Sequence, residues 1–169
     1  MTWTRERATV AVLLFISFPL AIAWGQMQSN TSDVDSAALK QAVADFSEAF
    51  NHHDAHATAA SFTEDAELTN LRGISNHGRK EIEEHYASIY AGFLKNAHRT
   101  DSVRSIRLVT PEIVLVDTEW EMTGSKAPDG SNIDLPLRKG LLDWVMTKQN
   151  SKWLISVFHE TEFPSAPSK

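Results

Sequence analysis

The spacing of apolar residues between positions 39 and 50 is helical. They recur at i, i+3, i+4, i+7 and i+11, which places them on one face of an α-helix. The residues of this face are Leu39, Ala42, Val43, Phe46 and Phe50. Either Asp33 or Asp35 can cap the start of the helix, and the polar run at 51–54 ends it. We expect Asp54 to cap a short second helix at residues 55–62.

A third helical pattern begins near Arg79. It follows a brief extended piece at residues 67–70 and a loop at residues 72–78 that contains glycine and asparagine. Glutamates in its first turn suit the positive end of the helix dipole. The predicted apolar face consists of Ile82, Tyr86, Ile89 and Phe93.

From about residue 99 onward the hydrophobic period changes to two, and β-branched and aromatic residues dominate. This pattern predicts three or four antiparallel strands joined by tight turns, at about residues 102–109, 112–123, 135–148 and 152–163. Helices formed earlier in the chain must cover one face of such a sheet. The sequence therefore predicts an α+β fold in which a curved antiparallel sheet wraps over three N-terminal helices.

The two faces of the sheet differ from strand to strand. The strand at 112–123 alternates between apolar and acidic residues, with Val114, Val116, Trp120 and Met122 on its apolar side. In the last two strands both sides are apolar, which a sheet half-exposed to water disfavours. The two sets are Leu141, Val145, Ile155 and Val157, against Leu142, Trp144, Met146, Leu154 and Phe158. We therefore predict that the helices cover one face and a second copy of the chain covers the other, in a homodimer.

The first residues are typical of a secretory signal peptide. Two arginines precede an apolar run at 8–23 that is short of the ~20 residues needed to span a bilayer and that Pro19 interrupts. Small residues suited to cleavage lie at 21–23 and at 23–25, and an uncleaved anchor is the alternative. We expect a periplasmic or secreted protein that has no membrane attachment after cleavage. The expected organisation is a signal peptide at 1–25, a disordered stretch at 26–35, one domain at 36–163 and a tail at 164–169.

Composition and charge exclude several kinds of function. Hydrophobic residues make up 42% and charged residues 22% of the chain, which is close to the globular average. Removal of Arg5, Glu6 and Arg7 with the signal peptide reduces 16 basic and 22 acidic residues to 14 and 21, a net charge of about −7 that disfavours nucleic acid as a partner. The chain has no Cys, which excludes disulfides, thiol catalysis and thiolate metal sites.

Short motifs follow one another in a recognisable order. They are Phe50-Asn51 with Asp54, Phe62-Thr63-Glu64-Asp65-Ala66, Gly78-Arg79-Lys80-Glu81-Ile82, Trp120, and Lys152-Trp153-Leu154-Ile155 with His159. Over residues 36–163 this order resembles the nuclear transport factor 2-like superfamily, which includes ketosteroid isomerase and SnoaL-like polyketide cyclases, and in detail it resembles the SgcJ/EcaC subgroup. The resemblance implies a cone-shaped fold with a hydrophobic pocket that opens at one end.

The resemblance also implies a choice of functions. One is an exported small-molecule pocket protein with cofactor-independent acid/base catalysis, of the isomerase or cyclase type, on an apolar or polyketide-like ligand. The alternative is a non-catalytic ligand-binding or dimeric association module of the same fold. Enzyme status stays open, and no cofactor is expected.

His159 is the first candidate catalytic residue. Residues 153, 155 and 157 share its parity and should face the core, so its imidazole should face the pocket as a general base or hydrogen-bond donor. Asp65, at the end of the second helix, would then enter the pocket mouth and pair with it. The structural alternatives are a histidine held at the end of the sheet and an aspartate that caps a turn.

Aromatic residues offer a wall for a flat apolar ligand, unless they belong to the core. The candidates are Trp120, Tyr86, Tyr90 and Phe93. Trp144 depends on the register of the last hairpin: a two-residue turn at 150–151 places it on the His159 face, and a three-residue turn at 149–151 places it on the opposite face.

The histidine cluster at the end of the first helix has the composition of a metal site. It comprises His52, His53 and His56 with Asp54. Because Asp54 should break the helix, His52 and His56 should not share a helical face. We therefore expect no metal ion there.

Overall fold

The computed structural model describes residues 21–164, with side chains from Asp35 onward. Its elements are α1 (Ala21–Asn51), α2 (Ala55–Ala60), β1 (Phe62–Thr69), β2 (Ser75–His77), α3 (Gly78–Ala91), β3 (His98–Thr110), β4 (Ile113–Thr123), β5 (Arg138–Gln149) and β6 (Lys152–Glu162). The expected signal peptide up to residue 20 and the tail after residue 164 lie outside the described residues. Between residues 21 and 164, no helix has the length and apolar character that crossing a bilayer requires.

The N-terminal helix begins several turns before the first of its described side chains that is buried. Its backbone begins at Ala21 and continues through residues 26–35, for which the sequence favours disorder. Among the side chains that are described, burial begins at Leu39 and continues through Val43, Phe46 and Phe50. The predicted apolar face is therefore the part of α1 that packs on the core.

The sheet has six strands in the order β2-β1-β6-β5-β4-β3, and it is curled but not closed. The four C-terminal strands pair antiparallel with their sequence neighbours, as predicted. The extended piece expected at 67–70 is part of the longer strand β1, whereas β2, which lies within the expected loop, was missed. Because β1 pairs parallel to β6, the chain between α2 and α3 extends the sheet beyond β6. The predicted α+β class is confirmed.

The core is built on aromatic contacts between α1 and the sheet. The Phe46 ring lies 5.0 Å from Trp144 and 5.6 Å from Phe158, centroid to centroid. The break after α1 also follows the prediction, because the Asp54 carboxylate accepts a hydrogen bond from the N–H of Ala57 at 2.9 Å and caps α2.

A β-bulge in β6 brings two residues of opposite parity, Ile155 and Phe158, into the core. Met146 pairs with Ile155, whereas Val145 pairs with Val157, so Ser156 is an extra residue in the ladder. The Ser156 hydroxyl donates to the carbonyl oxygen of Val145 at 2.9 Å. Beyond the bulge the side chains change face. This change reverses the predicted orientation of every residue from 157 onward.

The turn between β5 and β6 has two residues, Asn150 and Ser151, both with positive φ (49° and 65°). This is the first of the two registers considered. However, the bulge pairs Trp144 with Phe158 rather than with Val157, and both rings are buried in the core. Trp144 and His159 therefore lie on opposite faces of the sheet.

Gly140 allows Trp120 to lie against the backbone of β5. A Cβ at this position would collide with the carbonyl oxygen of Thr161 and would lie 2.7 Å from the indole ring. The indole N–H donates to the carbonyl oxygens of Leu141 and Thr161 at 3.3 and 3.1 Å. Only glycine fits between these groups.

We expect Gly140→Ala to lower the free energy of unfolding by about 2 kcal/mol or more, because the methyl group must displace backbone or indole. Urea unfolding measures the loss. Gly73→Ala is the control, since Gly73 has a positive φ of 72° but open space around it, and should cost only about 1 kcal/mol. Equal losses for the two variants would contradict this account.

Candidate functional site

A cavity of about 100 Å³ lies between α3, the end of α1 and the helix-covered face of the sheet. Most of its lining is apolar, including Leu68, Ile89, Phe93, Leu94, Met122 and Phe158. The polar residues of the lining are the candidates for ligand binding or catalysis. They are Asn70, Arg72, His85, Tyr86, Arg99, Arg138 and Glu160.

Arg99 lies at the closed end of the cavity and is 2% exposed. Its Nε and Nη2 donate to the carboxylate of Asp101 at 2.9 and 2.8 Å, and its Nη1 donates to Oε1 of Glu160 at 2.5 Å. Burial opposes the charge, but the two carboxylates outweigh burial and raise the pKa of Arg99. The guanidinium therefore stays charged. It also lies 5.3 to 5.8 Å from the ring centroids of Phe46, Phe50 and Trp120.

Two polar residues of α1 hold the start of β3 in place. The amide of Asn51 donates to the backbone oxygen of Arg99 at 2.8 Å and accepts from its backbone N–H at 2.7 Å. The Ser47 hydroxyl donates to Asp101 at 2.8 Å. The end of α1 thus fixes the position of the buried guanidinium.

Glu160 presents a carboxylate oxygen to the cavity. Its side chain is 12% exposed and its Oε1 is bound by Arg99. No donor among the described residues contacts Oε2. Glu160 therefore offers one free acceptor in the lining of the cavity.

Tyr86 supplies the complementary donor. The residue is buried and lines the cavity, and none of the described residues forms a hydrogen bond with its hydroxyl. Burial, together with the neighbouring Tyr90, raises the pKa of Tyr86, so the phenol stays protonated. Tyr90 differs because its hydroxyl lies 3.0 Å from Oγ1 of Thr58, and it does not line the cavity.

The rim of the cavity carries three further groups. Arg138 forms a two-point ion pair with Glu162 at 2.7 Å for each contact. Burial, and then the positive charge of Arg72, lowers the pKa of His85, so its imidazole is neutral at neutral pH. Arg72 is exposed.

The two predicted catalytic residues do not face the cavity. His159 follows the bulge at Ser156 and is exposed on the opposite face, so its predicted orientation is wrong, and the cavity position belongs to Glu160. Asp65 lies within β1 rather than at a helix end, and its side chain is exposed. Neither residue lines the cavity, so the structure does not bring them together there.

The predicted aromatic wall is only partly present. Tyr86 and Phe93 line the cavity. Trp120 lies outside the lining, although its ring packs on the guanidinium groups of Arg99 and Arg138. Trp144 belongs to the core, where its indole N–H donates to Oγ1 of Thr118 at 2.9 Å, and Tyr90 is also a core residue.

The histidine cluster at the end of α1 is dispersed. His53 Nε2 lies 2.8 Å from the carbonyl oxygen of Leu94, and His56 Nδ1 lies 3.2 Å from Glu83. Asp54 is the α2 cap. Within the part of the chain that the structure describes, no three His, Asp or Glu side chains are arranged to hold a metal ion.

Sequence reasoning missed Arg99, Asp101, Glu160, His85 and Arg138. Arg99 and Asp101 precede the strand expected to begin at residue 102, and neither was among the candidate site residues. The i, i+2 spacing of Arg99 and Asp101 could have identified the pair, because it places both side chains on one face of a strand.

Comparison with known proteins agrees with this architecture. A family model described as a SnoaL-like domain matches residues 43–142. No curated protein matches the chain significantly. The narrower resemblance to the SgcJ/EcaC subgroup stays a prediction.

Solved structures share the fold at low sequence identity. A proposed scytalone dehydratase from Novosphingobium aromaticivorans is 15% identical, with a TM-score of 0.70 over 83% of this chain and 92% of that chain. A ketosteroid isomerase-like protein from Erwinia carotovora atroseptica is 16% identical, with a TM-score of 0.64 over 76% of this chain and 96% of that chain. An NTF-2 like protein of unknown function from Shewanella oneidensis is 16% identical, with a TM-score of 0.63 over 75% of this chain and 98% of that chain. The predicted nuclear transport factor 2-like fold is confirmed.

We expect NMR titration to place the pKa of His85 below its ordinary value of 6.5. The unfolded chain then binds this proton more readily, so folding stability should fall as the pH drops below about 6.5 and through the folded pKa. Arg72→Gln should raise the pKa of His85, because it removes the nearby positive charge, whereas Arg107→Gln, outside the cavity, should not. A His85 pKa at or above 6.5, or one unchanged by Arg72→Gln, would contradict this assignment.

Proposed function

Because this chain belongs to the SnoaL-like domain family, we propose that it binds a small organic molecule in the cavity, with Glu160 and Tyr86 recognising the molecule's polar group. One observation carries the proposal: a carboxylate with a free oxygen and a phenol with a free hydroxyl line one apolar cavity. Buried polar groups normally have partners. A ligand with one donor and one acceptor would satisfy both.

The volume of the cavity limits the size of the ligand. An engineered cavity of roughly 150 Å³ accepts benzene, whereas pockets for drug-sized molecules measure about 300 to 1,000 Å³. The cavity here measures about 100 Å³. We therefore propose a ligand whose enclosed part is a single ring or smaller. The polyketide-like ligand expected from the resemblance would require the cavity to open.

Acid/base catalysis without a cofactor is the second candidate. The pairing of acceptor and donor favours it, because Glu160 could take a proton from a ligand while the Tyr86 hydroxyl donates to a ligand oxygen. Similar structures described as a proposed scytalone dehydratase and a ketosteroid isomerase-like protein are consistent with such chemistry. Its test is hydrogen-deuterium exchange at the α-carbons of cyclohexanone, followed by NMR. If wild type exchanges the α-hydrogens no faster than Glu160→Gln does, acid/base catalysis is excluded for cyclohexanone.

Export is a further part of the proposal, supported by the basic and apolar pattern of residues 1–25. We propose that the chain is cleaved near residues 21–25 and acts in the periplasm or outside the cell. N-terminal sequencing of the protein from each cell fraction tests this. An intact N-terminus recovered from the cytoplasm would contradict it.

A homodimer through the outer face of the sheet is proposed from a row of aliphatic side chains. Leu115, Val145 and Val157 pair across β4, β5 and β6, and all three are half-buried on the face opposite the helices. Such a row gives a second copy an apolar surface to pack on. Sedimentation of a monomer at micromolar concentration would contradict this.

We expect Glu160→Gln to weaken the binding of phenol by roughly tenfold, because a hydrogen bond to a charged acceptor is replaced by one to a neutral amide. Isothermal titration calorimetry measures the affinity. Glu112→Gln is the matched control, since Glu112 is exposed at the turn between β3 and β4. The proposal fails if phenol shows no saturable binding, or if both variants bind it as tightly as wild type.

A further inference from the structure

Charge is distributed unevenly between the two ends of the cavity. At the closed end, one guanidinium (Arg99) faces two carboxylates (Asp101 and Glu160), which leaves that end negative. At the rim, Arg138 and Glu162 neutralise each other. The mouth differs in the sign of its charge, because its charged group is the guanidinium of Arg72.

Arg72 lines both the cavity and an open groove that adjoins it. Its backbone N–H donates to Oδ1 of Asn70 at 2.9 Å, which fixes the turn that carries it. Its guanidinium forms no ion pair with the described residues. The other full cation of the groove, Lys126, is already bound to Asp134 at 2.7 Å. An uncompensated positive charge therefore lies at the mouth.

The neighbours of Arg72 add no opposing charge. His85, which also lines both spaces, carries a neutral imidazole at neutral pH. The remaining shared lining residues, Ile89, Phe93 and Pro128, are apolar. The route from the groove into the cavity thus runs from a cation, along apolar surface, to a carboxylate.

We propose that the ligand is bifunctional: a small apolar body with an O–H or N–H donor that reaches Glu160, and a carboxylate that pairs with Arg72 at the mouth. This inference rests on the proposed function, since it requires that the cavity hold the body of the ligand. It goes further by assigning a chemical class and a direction of entry.

The charges also fix the orientation of such a ligand. A carboxylate at the closed end would lie beside the carboxylate of Glu160, which lines the cavity, and like charges at short distance disfavour that position. At the mouth, a guanidinium matches the planar carboxylate with two parallel hydrogen bonds. The acid group therefore stays outermost and the donor goes in first.

The test compares para-hydroxybenzoate with para-hydroxybenzamide near neutral pH, by calorimetry. The two molecules share a ring and a phenol and differ in the charge of the outer group. We expect wild type to bind the acid about fivefold more tightly than the amide, as a partly exposed ion pair allows. Arg72→Gln should abolish this preference by weakening the binding of the acid more than that of the amide. Arg107→Gln, which makes the same change of charge on β3 outside the cavity, should keep the preference.

The outcomes separate this inference from the proposed function. If phenol and the amide bind in a manner that depends on Glu160, but the acid has no advantage, the inference is wrong and the proposed function stands. The inference is also overturned if Arg107→Gln reduces the preference as much as Arg72→Gln, since the effect would then reflect net charge. If none of the three probes binds, both proposals fall.

Discussion

The buried guanidinium of Arg99 is the group around which the site is organised. Moving a charge into a protein interior costs several kcal/mol, so it persists only where opposite charges and hydrogen-bond acceptors compensate it. Asp101 lies two residues further along β3, and Glu160 comes from β6, 61 positions away in the chain. Ser47 and Asn51 of α1 hold the same segment. One charge thus requires helix and sheet to meet in one arrangement, and that arrangement forms the closed end of the cavity.

The local structure of the helices and of β4 follows from residue patterns. The α1 face from Leu39 to Phe50, the Asp54 cap and the alternation of β4 are all encoded in spacing or in a single side-chain type, so sequence reasoning found them. The short strand β2 was missed because its three residues, Ser75–His77, contain no apolar alternation and pair only through β1. Its existence depends on tertiary structure.

The site was harder to predict, for a related reason. The bulge at Ser156 exchanges the faces of His159 and Glu160, and nothing in the alternation of β6 marks the extra residue, since residues on both sides of the strand are apolar. Arg99 was not identified as a site residue because its burial depends on a partner far along the sequence. Side-chain parity predicts the face of a residue only while the ladder is regular, and here it fails at Glu160, the residue on which the proposed function rests.

The account depends on direct coupling between Arg99 and Glu160, and a double-mutant cycle measures it. The free energies of unfolding of wild type, Arg99→Met, Glu160→Gln and the double variant would be obtained from urea titrations. Removal of the guanidinium should cost more when the Glu160 carboxylate is present, with a coupling energy of about 1 to 3 kcal/mol. A coupling energy indistinguishable from zero would contradict the buried ion pair, and with it the placement of Glu160 at the closed end of the cavity.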